Sequence, residues 1–274
     1  MTFLHNKGGA GSRRPAGYVW NPNKTRMELW VPCSSDPSRS ILRRAHPGRN
    51  WTESFVAPVV IAPGTLGLVM ERMWAINGRK GGAVSPDQAN YINTGEVSGG
   101  IYMRVLSAGG QAGDYNAIHW DGSYAISVSK SPHLHASVDF VNNADVAYIA
   151  GIVDNTKSAG TNAFALPNNG IYFILDTQTY GDANVRFVVR LAGADAYVVN
   201  LGPAPVGYSS GYIFVDDSGT TVYAELNGVP IGSYGTLPAQ QMTPYAAIVN
   251  RGVGAPPADL DLKIRDLTII QEYP

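Results

Sequence analysis

The chain has one cysteine, Cys33, in 274 residues, so it can close no internal disulfide and, from cysteine alone, build no multi-thiolate metal site. Charged residues make up 15% of the sequence, and no apolar run approaches the length that a membrane-crossing helix requires. Residues 1–9 lack the apolar stretch of a secretory signal, so neither secretion nor membrane insertion is expected. Glutamate is scarce after residue 81, where only Glu96, Glu225 and Glu272 occur. No Gly-x-x-x-x-Gly-Lys-Ser/Thr phosphate loop is present, and Gly8-Gly9-Ala10-Gly11 precedes no strand-to-helix unit. That excludes the common nucleotide-binding designs, and no cofactor is expected.

What is present is unevenly distributed. Residues 1–80 carry 12 of the 20 Lys and Arg but 4 of the 21 Asp and Glu, a balance of +8, whereas residues 81–274 carry 8 and 17, a balance of −9. The first seventeen residues, with Gly8 to Pro15, have no apolar period and are expected to be flexible. From Tyr18 to Asn77 come four of the five tryptophans, Trp20, Trp30, Trp51 and Trp74, between loops rich in Pro, Ser and Arg. Residues 27–31 and 58–62 read as short extended pieces. The spacing over 65–76 predicts the one helix, stopped by Asn77-Gly78. Arg79-Lys80-Gly81-Gly82 reads as a linker, which divides the chain into a basic Trp/Arg-rich extension, 1–80, and a body, 81–274.

The body is patterned as β-structure throughout. Leu134, Ala136, Val138 and Phe140 fall on one side of a two-residue period and His133, His135, Ser137 and Asp139 on the other; Val185, Phe187, Val189 and Leu191 oppose Arg186 and Arg190 in the same way. Ile101, Met103 and Val105 repeat the pattern, and residues 115–120 and 123–129 flank an Asp121-Gly122 turn. Asn227-Gly228 is a two-residue hairpin turn, because both central positions of that turn need positive φ. Leu260, Leu262 and Ile264 have one parity and Leu267 and Ile269 the other, which requires a bulge near Asp266 to keep both sets buried. About a dozen strands with no helix between them favour antiparallel sheets packed face to face, for which the strands from about residue 95 onward should suffice.

The strand series 147–155, 170–176, 185–190, 223–232 and 244–250 resembles the concanavalin A-like lectin/glucanase jelly roll, over roughly residues 95–271. More narrowly, it is similar to the versions found in virion proteins of tailed bacteriophages, as head decoration proteins or fibre parts. This resemblance implies an all-β antiparallel sandwich jelly roll preceded by an extended, mostly irregular anchoring segment. It also implies a non-enzymatic capsid decoration or cement protein, assembled in the host cytoplasm and displayed at the virion surface. The trimer expected for it rests on the same analogy. The alternative it implies is a carbohydrate- or receptor-binding fibre module that uses exposed tyrosines and the loop from Asn155 to Asn169.

Sugar-cleaving relatives of this jelly roll need two carboxylates flanking the scissile bond, and the Glu-x-Asp-x-x-Glu run of the laminarinase-like branch is absent. Glu225 alternates outward and reads as a solvated strand residue, so no catalytic residue is assigned and glycan hydrolysis is the last of the three readings. His133, His135 and Asp139 share a strand face from which a metal could be gripped, but an ordinary polar face explains them, and no metal is expected. Asp216-Asp217-Ser218-Gly219 is explained as turn chemistry. In the extension, Trp20, Trp30, Arg39, Arg43, Arg44, Arg49, Trp51 and Trp74 are the residues expected to dock on a capsid or tail protein of the same particle. Their arginines suit an acidic protein surface, and nucleic acid is not the expected partner. Fourteen of the 15 tyrosines follow residue 81, a residue type suited both to subunit interfaces and to sugar stacking. Open sheet edges and the +8/−9 split point to a homo-oligomer.

Overall fold

In the computed structural model the described backbone comprises residues 17–21, 26–32, 40–44, 48–54, 60–61, 74–79, 92–94, 101–105, 107–120, 126–140, 144–154, 165–216 and 218–272; side chains are described for most positions from 103 to 264. The chain order begins with β1 (Gly17–Asn21), β2 (Arg26–Pro32), β3 (Ser40–Arg44), β4 (Gly48–Ser54), β5 (Val60–Ile61), β6 (Trp74–Arg79), β7 (Ile92–Thr94), β8 (Ile101–Val105) and β9 (Tyr115–Trp120). It continues with β10 (His133–Phe140), β11 (Val146–Val153), β12 (Gly170–Asp176), the single-turn helix α1 (Thr177–Tyr180), β13 (Asn184–Leu191), β14 (Ala194–Pro203) and β15 (Tyr208–Val215). The last four strands are β16 (Val222–Leu226), β17 (Val229–Tyr234), β18 (Thr243–Asn250) and β19 (Leu260–Glu272).

Strands β1–β3 form a small sheet of their own. The others make two antiparallel sheets: a nine-stranded one in the order β17-β16-β15-β10-β19-β8-β7-β5, with β4 also paired to β19, and a seven-stranded one in the order β14-β13-β12-β11-β18-β9-β6. The two sheets enclose one core. Met103, Leu134, Val138, Ile213, Leu262 and Ile264 from the nine-stranded sheet meet Tyr148, Ile152, Phe173, Phe187 and Ile248 from the seven-stranded one, each at most 4% exposed. The alternation in the sequence produces this arrangement directly, since a two-residue period puts every second side chain between the sheets.

Three local readings can be followed to their cause. Asn227 and Gly228 have φ of 50° and 81°, and Leu226 pairs with Val229, so these two residues close the β16–β17 hairpin as a turn with both central residues in the left-handed region. Gly228→Val should cost about 1–3 kcal/mol through backbone strain; an unchanged urea midpoint would contradict this. The parity break in β19 is accommodated by one extra residue: Ser137 pairs with Asp266 and the next residue, Val138, with Ile264, leaving Arg265 as the bulge. Leu260, Leu262, Ile264 and Ile269 are all buried as a result. At the third site Asp216 accepts from the Thr220 and Thr221 amides at 2.8 and 3.0 Å and from the Ser218 hydroxyl at 2.8 Å, and Gly219 has a φ of 72°, the self-bonded turn that the residue types favour.

Elsewhere tertiary pairing overrides local pattern. Residues 74–76, the end of the expected helix, lie in β6, where Trp74 to Arg79 pair with Trp120 to Tyr115; residues 65–73 lie outside the described set. Of the strand expected over 123–129, residues 126–129 hold one bridge, Ile126 to Met242, followed by a 3-10 turn at Val128–Lys130, while 123–125 and the expected Asp121-Gly122 turn lie outside the described residues. The sandwich also draws strands from both sides of residue 80, because β4 pairs with β19, β5 with β7 and β6 with β9.

Candidate functional site

The seven-stranded sheet turns its other face away from the core, and that face grades from apolar to polar. Over β9, β18, β11 and β12 it presents Tyr115, Ala117, Tyr245, Ala247, Ile149 and Ile174, none more than 3% exposed, so this part is closed to solvent within the single chain. Burial pushes the Tyr245 phenol well above its ordinary range. Over β13 and β14 the face becomes polar. The Arg186 guanidinium lies 4.3 Å from the centre of the Tyr180 ring and donates to both oxygens of Asp182 at 2.8 and 2.7 Å. Tyr180 donates its hydroxyl to Asp195 at 2.8 Å, and Asp195 also accepts from Arg190, which reaches the Gly193 carbonyl at 2.5 Å.

Arg186 holds the Asp182 carboxyl below the usual range, helped by the Asn184 amide. A carboxylate depressed in the folded state stabilises the fold above its unfolded value and loses that contribution as pH falls through the folded one. Tyr180 is pushed upward first by burial and then by its bond to Asp195, and Tyr172 by burial, against an opposing pull from Arg190. Both phenols therefore remain neutral donors at physiological pH. Tyr172 is wholly buried, and its surroundings are shaped to admit it: a β-carbon on Gly151 would stand 2.4 Å from the Tyr172 Cβ, and one on Gly170 2.9 Å from its ring.

At the far end of β12, Asp176 is 0% exposed and fully committed. It caps α1 by accepting from the Gln178 and Thr179 amides, each at 3.1 Å, takes the Thr179 hydroxyl at 2.8 Å, and pairs with Arg251 at 2.5 Å. Neither Asp176 nor Asp195 stands as a free carboxylate on this face.

The outer face of the nine-stranded sheet has a different character. Three register-matched residues, His133, Phe214 and Tyr223, run across β10, β15 and β16, and a second row holds His135, Tyr212 and Glu225. His135 stacks on Tyr212 with centroids 4.3 Å apart and 19° between planes; Phe214 stacks on Tyr223 at 5.0 Å and 10°. His133 tilts against Phe214 at 5.8 Å. The two histidines thus pack against aromatic rings, and among the described residues no group of three or more His, Cys, Asp or Glu is placed to hold a metal. Glu225 does point outward, but it is only 9% exposed and not solvated as expected, because it sits between Tyr212 and Pro230 of the flanking strands.

The residues expected to anchor the chain are distributed over three sheets. Trp20, Trp30, Arg43 and Arg44 fall on β1, β2 and β3; Arg49 and Trp51 on β4, opposite Gln271 and Ile269; and Trp74 on β6, opposite Trp120. Arg39 lies outside the described residues, as do 155–164 of the expected binding loop. The polar corner of Tyr180, Arg186, Arg190 and Asp195 was not assigned from the sequence, where the outward parity of Arg186 and Arg190 is its one visible sign.

No family model and no curated protein matches the chain. Solved structures do. A glycoside hydrolase family 16 endo-glucanase from Bacteroides ovatus superimposes with a TM-score of 0.54 at 11% identity, covering 80% of this chain and 99% of its own. The fold is a concanavalin A-like jelly roll. A protein of unknown function from Shewanella oneidensis MR-1 gives 0.52 at 9% identity over 84% of this chain and 88% of its own. The alginate lyase AlyC3 in complex with dimannuronate gives 0.51 at 11% identity, over 74% and 90%. At such identities the likeness concerns the fold alone.

Proposed function

We propose that the chain is a non-enzymatic jelly-roll module of a virus particle, a capsid decoration or cement protein displayed at the virion surface and attached through its basic N-terminal segment. The observation that carries the non-enzymatic part is the outer face of the seven-stranded sheet. Glycan hydrolysis on two carboxylates needs them on opposite sides of an accessible bond, roughly 5–10 Å apart. Here the face is closed by apolar and tyrosine side chains, and its carboxylates are taken up, Asp176 by a helix cap and Arg251, Asp195 by the Arg190 and Tyr180 contacts, and Asp182 by Arg186. Support for the particle role comes from the +8/−9 charge split and from the small β1–β3 sheet, which carries Trp20, Trp30, Arg43 and Arg44 outside the sandwich sheets.

A reducing-end assay across β-glucans and alginate should show no release above a heat-treated control, and release would remove the non-enzymatic reading. Immunogold labelling of purified particles from the source should decorate their surface; particles free of the chain would remove the virion reading. The second reading, a glycan-binding module, is favoured by one feature, the Phe214–Tyr223 stack with Tyr223 38% exposed. A glycan array that retains the intact chain but not a Tyr223→Ala variant would select it.

A further inference from the structure

Three exposed large hydrophobic residues stand at one end of the sandwich: Val206 and Val253 are fully exposed and Val229 is 65% exposed. The ladders bring them together. Asp139 pairs with Tyr208 of β15 on one flank and with Lys263 of β19 on the other, and Gly211 of β15 pairs with Leu226 of β16, so the turns before β15, after β16 and before β19 all leave on the same side. A solitary exposed valine is ordinary, but three on neighbouring tips make a patch. The loops that carry them have no charge: residues 203–207, 227–230 and 252–258 contain no Asp, Glu, Lys, Arg or His, nor do residues 107–113 beside them. The tips are also held in place. Wholly buried Asn250 accepts from the Gly252 amide at 3.0 Å and donates to the Gly254 carbonyl at 2.6 Å, on either side of Val253, and the Asn227 side chain accepts from the Ser210 amide at 2.8 Å at the turn before Val229. A surface already ordered loses little freedom on docking.

We infer that this end docks on the same end of a second copy, in a two-fold dimer that sets Val206, Val229 and Val253 of each chain against the other. Charge selects that occupant. Residues 81–274 sum to −9, so two such bodies, or one body and an anionic membrane, repel each other except where the surface is neutral, and these loops offer a neutral surface. The six strands from β17 to β8 span about 24 Å, and two sheets with their outer side chains about 20 Å, a footprint of about 500 Å² per copy. The total of about 1,000 Å² meets the lower bound of a specific interface, so the dimer is weak. The sheet edges are less suited to the contact. β14 carries an extra residue near each end, at Ala196 and at Leu201-Gly202, and β17 contains Pro230, which has no backbone donor. The basic segment joins the sandwich at the opposite end, where Gly48 at the start of β4 pairs with Glu272.

Sedimentation equilibrium of the full chain over a concentration series tests this. A reversible rise in mass from the 29.2 kDa monomer toward twice that value is expected, and raised salt should preserve or strengthen it, because screening weakens the repulsion between acidic bodies. Val206→Asp and Val253→Asp alter fully exposed positions, so the melting midpoint should hold. Their dissociation constants should rise about tenfold or more, since each puts a charge from both copies into the contact. Val198→Asp, on the β14 edge, should leave the dimer unchanged. A monomer at every concentration, a trimer, or a dimer that survives both aspartates would overturn the inference. So would dissociation by Val198→Asp, which would assign the contact to the sheet edge, or dissociation by salt, which would assign it to the +8 segment of one copy lying on the acidic body of another.

Discussion

Asp176→Ala should lower stability by on the order of 3–5 kcal/mol, the range for removing one partner of a buried ion pair, with about 1 kcal/mol more from the lost helix cap. Four donors converge on this carboxylate: two backbone amides, a hydroxyl and the Arg251 guanidinium. Arg251 is itself tied into the same end of the sandwich, its amide donating to the Asp145 carbonyl at 2.8 Å. Neighbouring Asn250 donates to the Gln111 and Gly254 carbonyls, so several loops depend on the position of this residue. Urea unfolding gives the measurement. Asp176→Asn, which retains an acceptor for the cap, should lose less than alanine, and the pairing argument fails if alanine costs under about 1 kcal/mol.

Truncation should distinguish two N-terminal boundaries. Removing residues 1–47 takes away the small sheet and leaves both large sheets complete, so the remainder should still unfold in one cooperative transition. Removing residues 1–80 also deletes β4, β5 and β6 and bares the ladders of β19, β7 and β9. Such edges cost stability and invite association. The longer truncation should melt roughly 10 °C or more lower, at about 2–4 °C per kcal/mol for a protein of this size, or elute as aggregate. Equal melting of the two truncations would place the sandwich entirely after residue 80, as the composition break suggests.

The contrast between these truncations shows where sequence reading succeeds. Alternation in β10, the outward parity of Arg186 and Arg190, the Asn227-Gly228 turn and the phase break before Leu267 were all legible, because each depends on neighbours a few residues apart. The strand character of Trp74 to Ile76 was not. Leu66, Val69, Met70 and Met73 satisfy a helical period, and what places β6 in a sheet is β9, forty residues on. The burial of Glu225 was hidden for a similar reason: parity tells which way a side chain points but not that Tyr212 and Pro230 are its register partners on the flanking strands. The polar corner needed Asp195 brought beside Arg190 by a register shift in the β13–β14 hairpin, and nothing in the residue spacing announces that shift.

The bulge at Arg265 gives the last strand an uncommon property under variation. A residue-by-residue survey of tolerated substitutions along β19 would show even positions resisting polar replacements up to Ile264, and odd positions resisting them by Ile269. The rhythm slips by a single beat. A strand of 13 residues thereby evolves as two shorter ones of opposite phase, and deletion of the one extra residue would restore a plain alternation while leaving the same side chains facing the core.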